Sequence, residues 1–351
     1  MGVKEVSGLV SGRGVIWSVA LSLTLHVLNH HLLLVLLPLL CVAIYKGLKA
    51  PRSNPDTAAT FFSGLRVGGH RGSPTIYPEN SMASFEQAKL DGCDLVEFDV
   101  SMTKDGHAVL LHDDNLDRTT NMTGPIRDKN LAELKDCNIA AHFKRTGPGS
   151  SPIPSEGLPA LETLVSWAKT NKMKLLFDVK DYDPELTAII VELFTRFDLY
   201  DSAIVCSFFP WVVYRVKKAD SRILTGMTWR QKFFSYEDGE HTRPRFSWAL
   251  QFYLAALLDV VHHAGLHTIL PTFLGVDLML TSNSEISPRY VAKQRAKGVE
   301  VMAWTVNDIN EMHWMLETLK IPILTDLPYH IQTLSNLRKF GEDGYVSVKA
   351  A

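Results

Sequence analysis

Short apolar runs of β type, many of them followed by a helical pattern, recur along most of this 351-residue chain, and that alternation limits its fold more than any other feature. The runs are "GLRVGGH" (64–70), "DLVEFDV" (94–100), "HAVLLHD" (107–113), "KLLFDVK" (174–180), "SAIVCSF" (202–208), "SRILTGM" (221–227), "FLGVDLML" (273–280), "GVEVMAWTVND" (298–308) and "IPILTD" (321–326). Helical patterns cover 81–90, 158–171 and 183–197, the last with Pro184 near its start. Strands joined through helices run parallel, and the helices cover the sheet. An α/β fold is therefore expected. The length accommodates one large α/β barrel or two smaller domains. Nine runs are one too many for an eight-stranded barrel, so one lies outside it or is not a strand.

The N-terminus departs from this pattern. "VIWSVALSLTLHVLNHHLLLVLLPLLCVAIY" (15–45) contains no Asp, Glu, Lys or Arg. A helix of about 20 apolar residues crosses the hydrocarbon core. A cleaved signal peptide has an apolar region of only about 7–15 residues, and no small-x-small cleavage site follows Leu40. A retained transmembrane anchor is the expectation. His26, Asn29, His30, His31 and Pro38 leave a kinked helix or a re-entrant hairpin open. Lys46, Lys49 and Arg52 after the span favour a cytoplasmic side for the remainder of the chain. The sequon Asn121-Met122-Thr123 favours a lumenal or extracellular side and marks Asn121 for glycosylation. The two cues conflict.

A second apolar stretch, "FSWALQFYLAALLDVVHHAGLHTILPTFLGVDLML" (246–280), interrupts the later part of the chain. A single complete pass there would strand the flanking β runs on opposite sides of a bilayer. Two readings stand: an insert touching the membrane or capping the active site (about 246–272), or a packed outer helix. His262, His263 and His267 have metal-like spacing but are read as non-ligands. The net charge of −2 gives no electrostatic basis for nucleic-acid binding. Cys41, Cys93, Cys137 and Cys206 lack zinc-like spacing and read as free thiols.

Chemistry gathers at the ends of the β runs. Glu97 and Asp99 are two apart and so share one face of a strand. Paired carboxylates repel and lose hydration, and a hard divalent cation with oxygen ligands is the natural partner. His70-Arg71 closes the first run, His112-Asp113 the third, and Asp178 with Lys180 the fourth. In a parallel barrel such ends converge on one mouth. Cations for phosphoryl oxygens and a histidine pair for proton transfer suit a phosphoester. Asp113, Asp114 and Asp117 read as a solvated acidic loop, and Asp326 as a residue closing the barrel.

"VGGHRGSPTIYPENSMASFEQA", "DLVEFDVSMTKDGHAVLLHDDNLDRTT", "LLFDVKD", "AWTVND" and "ILTDLP" together resemble the glycerophosphodiester phosphodiesterase family, in its order and over roughly residues 65–330. The resemblance implies a TIM-type (β/α)8 barrel, here preceded by a transmembrane helix, and a Mg2+ or Ca2+ ion. By position it implies Glu97 and Asp99 as metal ligands, His70 and His112 as the acid/base pair, and His112 as a further candidate ligand. Arg71 matches a phosphate-gripping arginine and Glu79 a glutamate at the edge of the site. Lys180 and Trp304 are the remaining substrate-binding candidates. Asp178 stands where many members carry Glu; direct and water-mediated ligation are both open.

The implied reaction cleaves a glycerophosphodiester, such as glycerophosphoinositol or a glycerophospho-N-acylethanolamine, to glycerol 3-phosphate and an alcohol. The attacking group is the glycerol 2-hydroxyl or water. Lysophospholipase D action is the enzymatic alternative, with the insert taking an acyl chain. An inactive membrane-tethered interaction protein is the non-enzymatic one. The expected layout is a tail (1–14), an anchor (15–45), a linker (46–64), the barrel (65–330) and a C-terminal tail (331–351), on the plasma membrane or an endomembrane. The lipid bilayer is thus an expected partner, and no protein partner is named by the sequence.

Overall fold

Alternate residues of each strand pack into two different cores, and that sorting rolls the sheet into a barrel. The computed structural model describes residues 12–150 and 152–342. Its strands are β1 (Val67–Gly69), β2 (Leu95–Met102), β3 (Ala108–Leu110), β4 (Lys174–Val179), β5 (Ala203–Ser207), β6 (Leu224–Trp229), β7 (Leu278–Ser282), β8 (Glu300–Trp304) and β9 (Ile323–Thr325). The helices are α1 (Gly12–Leu48), α2 (Pro55–Phe62), α3 (Met82–Leu90), α4 (Leu161–Asn171), α5 (Pro184–Phe197), α6 (Pro210–Ala219), α7 (Ala249–His267), α8 (Leu270–Leu274), α9 (Pro288–Arg295), α10 (Ile309–His313) and α11 (Ile331–Glu342). Eight strands pair in parallel, and β1 bonds to both β2 and β9, which closes the ring. The surplus run is β3. It folds back antiparallel on β2, with Leu110 opposite Val100, and stays outside the barrel.

Leu95, Leu176, Ile204, Leu224, Leu278, Met302 and Leu324 point inward and form the barrel's own apolar core. Their neighbours Val96, Phe98, Leu175 and Phe177 point outward and pack with Phe85, Leu164, Ile190 and Phe194 of the helices. The period of two that buries Leu95 carries Glu97 and Asp99 up the same inner face, and Leu176 is followed likewise by Asp178. The interior thus turns from apolar to ionic toward the carboxyl ends of the strands.

Two units emerge, residues 1–49 and 50–351. The stretch expected as a linker over 46–64 is partly barrel. Phe61 and Leu65 join the inner core from below, and the Lys174 ammonium donates to the carbonyls of Phe61 (2.5 Å) and Ser63 (2.9 Å). Ser53 reaches a fully buried pair, Lys217 Nζ to Asp277 Oδ2 at 2.8 Å. Lys217 also donates to Ser53 Oγ (2.5 Å) and the Ile223 carbonyl (2.6 Å). Removing one partner of a buried pair leaves an uncompensated charge. Lys217→Met is therefore expected to cost about 3–5 kcal/mol of stability in urea unfolding; a wild-type unfolding midpoint would show the cluster to be dispensable.

In the first unit, α1 is one helix of 37 residues with Pro38 inside it, about 55 Å long at 1.5 Å per residue. It contains the whole uncharged span 15–45. α7 occupies the second apolar stretch, and its length and composition would suffice for a membrane crossing. It does not cross one here: β6 and β7, which flank it, are hydrogen-bonded neighbours in the closed barrel. Of its 19 residues Ala255 and Leu266 are buried. All four cysteines are free, and three of them are buried. Asn121 is exposed. Ile331 and Leu334 of α11 pack on the core, so part of the expected C-terminal tail is structured; residues 1–11 and 343–351 of the two tails lie outside the described residues.

Candidate active site

The site begins with the turn after β1. Gly72 has φ +87°, and a Cβ there would lie 2.7 Å from the Ser84 carbonyl carbon, so only glycine fits. The turn puts Arg71 in a left-handed conformation (φ 55°) and aims its backbone N–H at Glu97 Oε2, 2.8 Å away. Asn80, also left-handed (φ 59°), grips Asp99 twice. Its Nδ2 donates to Asp99 Oδ2 (2.9 Å), and its Oδ1 accepts from the Asp99 backbone N–H (3.1 Å). Uncommon backbone conformations at two adjacent turns are typical of functional sites.

Asp99 and Asp178 sit side by side in the register of β2 and β4. Glu97, Asp99 and Asp178 are all buried, and each offers an oxygen within 4.8 Å of the others. Lys180 Nζ lies 2.7 Å from Asp99 Oδ1 and 4.0 Å from Asp178 Oδ2. Arg71 Nε is 3.2 Å from Asp99 Oδ2 but outside hydrogen-bonding geometry. Burial opposes ionisation of all three carboxyls. It pushes Glu97 up to about 8, with the charges of Asp99 and Asp178 adding to the rise. Asp178 is carried to about 6 by burial and by Asp99. At Asp99 burial is outweighed by Lys180 and Arg71, which hold it well below the usual carboxylate range. Two crowded carboxyls with raised affinity for protons, in an all-oxygen donor set, fit a hard divalent cation. His112 is not a member of this group.

Both imidazoles are oriented through Nδ1 by a carboxylate. His70 Nδ1 is 2.7 Å from Asp326 Oδ1, and its Nε2 lies 4.0 Å from Glu97 Oε2. His112 Nδ1 is 2.5 Å from Asp113 Oδ1. Asn307 Nδ2 donates to the other oxygen of Asp326 (2.8 Å), and Arg118 Nε donates to the other oxygen of Asp113 (2.5 Å). The environments diverge. At His70 burial and Arg71 lower the affinity for a proton, yet Glu97 and Asp326 raise it further. At His112 burial prevails over Asp99 and Asp113, and the pKa falls.

His70, Arg71, Glu97, Asp99, His112, Asp178, Lys180 and Trp304 line one cavity of about 1060 Å³. Phe208 and Phe233, stacked with centroids 4.5 Å apart, extend the wall begun by Trp304, whose ring meets Phe208 edge-on at 5.5 Å. Glu79 is placed behind the cavity, where it accepts from Arg71 (3.0 Å) and Arg118 (2.6 Å). His262, His263 and His267 lie on α7, apart from the acidic group. Asp113 and Asp326, which the sequence presents as a solvated loop and a barrel closure, are instead the braces of the two imidazoles. Their adjacency to His112 and to the last strand end was the available signal. Asn80 as a clamp also escapes the sequence reading, although the Pro-Glu-Asn segment is in view.

A closed parallel barrel with cationic side chains, two histidines and a buried carboxylate group able to hold a metal ion, all at one mouth, has the make-up of a phosphoryl-ester hydrolase. The chain belongs to the glycerophosphoryl diester phosphodiesterase family, whose sequence profile matches residues 70–330, and it is an enzyme of that class. It is 31% identical to human glycerophosphodiester phosphodiesterase 1 over 259 residues, 73% of this chain and 76% of that protein. It is 34% identical to the bovine protein of the same name over 261 residues, with the same coverage. Among solved structures, a phosphodiesterase from Oleispira antarctica, crystallised with the product sn-glycerol-3-phosphate, superposes with a TM-score of 0.59 at 24% identity, covering 78% of this chain and 98% of that one. A glycerophosphodiester phosphodiesterase from Agrobacterium tumefaciens gives 0.58 at 19%, covering 76% of this chain and 97% of that one. At those identities the superpositions establish the fold.

Asp326→Asn would remove the charge that orients His70 while preserving size. Turnover is expected to fall about 10²-fold through misplacement of the ring, with KM changed much less. An equal change in both would indicate that Asp326 contributes to substrate binding instead.

Proposed function

We propose that the chain hydrolyses glycerophosphodiesters to glycerol 3-phosphate and an alcohol by histidine acid/base catalysis. The observation that carries this reading is the meeting, in one cavity, of three buried carboxylates within 4.8 Å of one another and two imidazoles each braced by its own aspartate. Glu97, Asp99 and Asp178 would hold the divalent ion, Mg2+ or Ca2+. When bound, such an ion supplies Lewis acidity toward phosphoryl and hydroxyl oxygens. Arg71 and Lys180 neutralise the phosphoryl charge. One histidine takes the proton of the glycerol 2-hydroxyl as that oxygen bonds to phosphorus. The other gives a proton to the departing alcohol oxygen as its P–O bond breaks. The roles then reverse: water adds to the cyclic phosphate, loses a proton to one ring, and the released glycerol oxygen gains one from the other. Trp304, Phe208 and Phe233 furnish an apolar wall for the organic part of the substrate.

The same reading makes α1 a membrane anchor. Its uncharged span exceeds the roughly 30 Å hydrocarbon thickness, and described side chains such as Trp17, Leu21, Leu25, Leu36 and Leu40 are exposed. The sequon is the cue for a lumenal or extracellular barrel on the plasma membrane or an endomembrane, and Asn121 in it is exposed and so accessible for glycosylation. Endoglycosidase treatment of the expressed chain is expected to increase its gel mobility, and Asn121→Gln to abolish that shift; an unshifted wild-type band contradicts glycosylation at Asn121. Substrate class is tested by the purified full chain with Mg2+ or Ca2+ on glycerophosphoinositol, a glycerophospho-N-acylethanolamine and a lysophospholipid. Release of glycerol 3-phosphate from the first two supports the proposal. Exclusive release of lysophosphatidic acid from the third replaces it with lysophospholipase D action.

A further inference from the structure

A second cavity, of about 410 Å³, lies behind α7, within the size range of small-molecule sites. Trp229, Phe252, Ala256, Val260 and Leu266 give it apolar walls. Its other wall is the segment after β6, and that segment also borders the catalytic cavity. Arg230 lines both cavities. Phe233 faces the catalytic one, while Ser235 and Tyr236 face the second. The partition is a built feature. Arg230 donates to the carbonyls of Asp238 and Tyr236 (both 2.9 Å). Asp259 of α7 accepts from the backbone N–H groups of Phe234 (2.8 Å) and Ser235 (3.0 Å).

α7 is also apolar on the face turned away from this cavity, where Leu250, Tyr253, Leu254, Leu257 and Val261 are exposed. Its single carboxylate, Asp259, is spent on the partition, and the helix contains no Lys or Arg. A chamber whose apolar walls are interspersed with Gln231, Lys232, His262 and His263, and which shares a partition with a phosphodiester site, matches a ligand with a polar head and an aliphatic tail. We propose that this second cavity receives the chain of a single-chain lipid phosphodiester whose phosphate occupies the catalytic cavity. The proposal rests on the hydrolase function and ranks its substrates, favouring those that bear a chain on the glycerol or on the leaving alcohol over chainless ones.

Each methylene transferred from water to an apolar site strengthens binding about fourfold. For the wild-type chain, kcat/KM is therefore expected to rise at least tenfold between a chainless glycerophosphodiester and one carrying a long chain. Two series locate the chain: lysophospholipids carry it on the glycerol, and glycerophospho-N-acylethanolamines on the leaving group. Ala256→Phe and the more exposed Val260→Phe fill the cavity without touching the residues placed in the reaction. Both are expected to erase the long-chain advantage in whichever series shows it and to leave chainless turnover within twofold. Binding is read independently of catalysis by calorimetry with monomeric dodecylphosphocholine, whose affinity should drop at least tenfold in both variants. If chainless turnover is present but chain length has no effect, or if both variants bind dodecylphosphocholine like the wild type, the chain site is overturned while the hydrolase function stands. If the wild type turns over no phosphodiester, the hydrolase function fails, and the calorimetry alone decides the cavity.

Discussion

His112→Ala is expected to lower turnover about 10²–10⁴-fold, the usual contribution of one positioned acid or base, with the thermal unfolding midpoint unchanged. The imidazole is partly solvent-exposed, with 30% of its side-chain surface accessible, so its truncation opens no core cavity. Its partner Asp113 keeps two bonds from Arg118, at 2.5 and 3.1 Å, and is not left bare. The loss should fall on kcat with saturating cation, because Glu97, Asp99 and Asp178 remain to bind it. Steady-state kinetics beside a circular-dichroism melt separate these effects. Kinetics close to wild type would remove His112 from the reaction; a lowered melting point would recast it as a structural residue.

Glu97→Gln is expected to reduce cation-dependent turnover about 10³-fold, since the Lewis-acid contribution amounts to several kcal/mol at 1.36 kcal/mol per tenfold in rate. Stability should move the other way. Burial raises Glu97 from its ordinary 4.5 to about 8, so between those values the folded chain binds more protons than the unfolded one. Metal-free stability therefore falls as pH rises through that window. The Gln variant lacks this penalty and should be no less stable than wild type at pH 8 without cation. A cation at 100 times its Kd stabilises the folded state by about 2.7 kcal/mol; wild type should show that rise and the variant should not. Equal cation-induced shifts in both proteins would place the cation elsewhere.

Much of this was legible in the sequence because period-two patterning speaks directly about faces. It put Glu97 with Asp99 and Asp178 with Lys180, and the strand-end rule then gathered them with His70 and Arg71. His112 reached the same mouth for a different reason. Its run, 107–113, is not a barrel strand but a short antiparallel return from β2, and a hairpin and a parallel strand read alike when both are apolar and brief. Asp326 was illegible as the partner of His70 because that role is set by distance across the mouth, between residues far apart in the chain; Asp113 stood beside His112 in plain view, but a run of acidic residues after a strand reads first as a solvated loop. Phe61 escaped for a similar reason: two aromatics, Phe61 and Phe62, at the end of a polar, proline-bearing stretch do not announce that the first fills the bottom of a barrel. The apolar character of α7 was plain, but only the pairing of β6 with β7 decided that it leaves and returns on one side.

The most direct measurement is release of glycerol 3-phosphate from a glycerophosphodiester by the chelator-stripped full chain as Mg2+ or Ca2+ is added back. No release without cation is expected, with saturable recovery in the wild type and essentially none in Glu97→Gln. Undiminished turnover after chelation, or a wild-type cation response from Glu97→Gln, would contradict a cation held by the three carboxylates as the centre of the reaction.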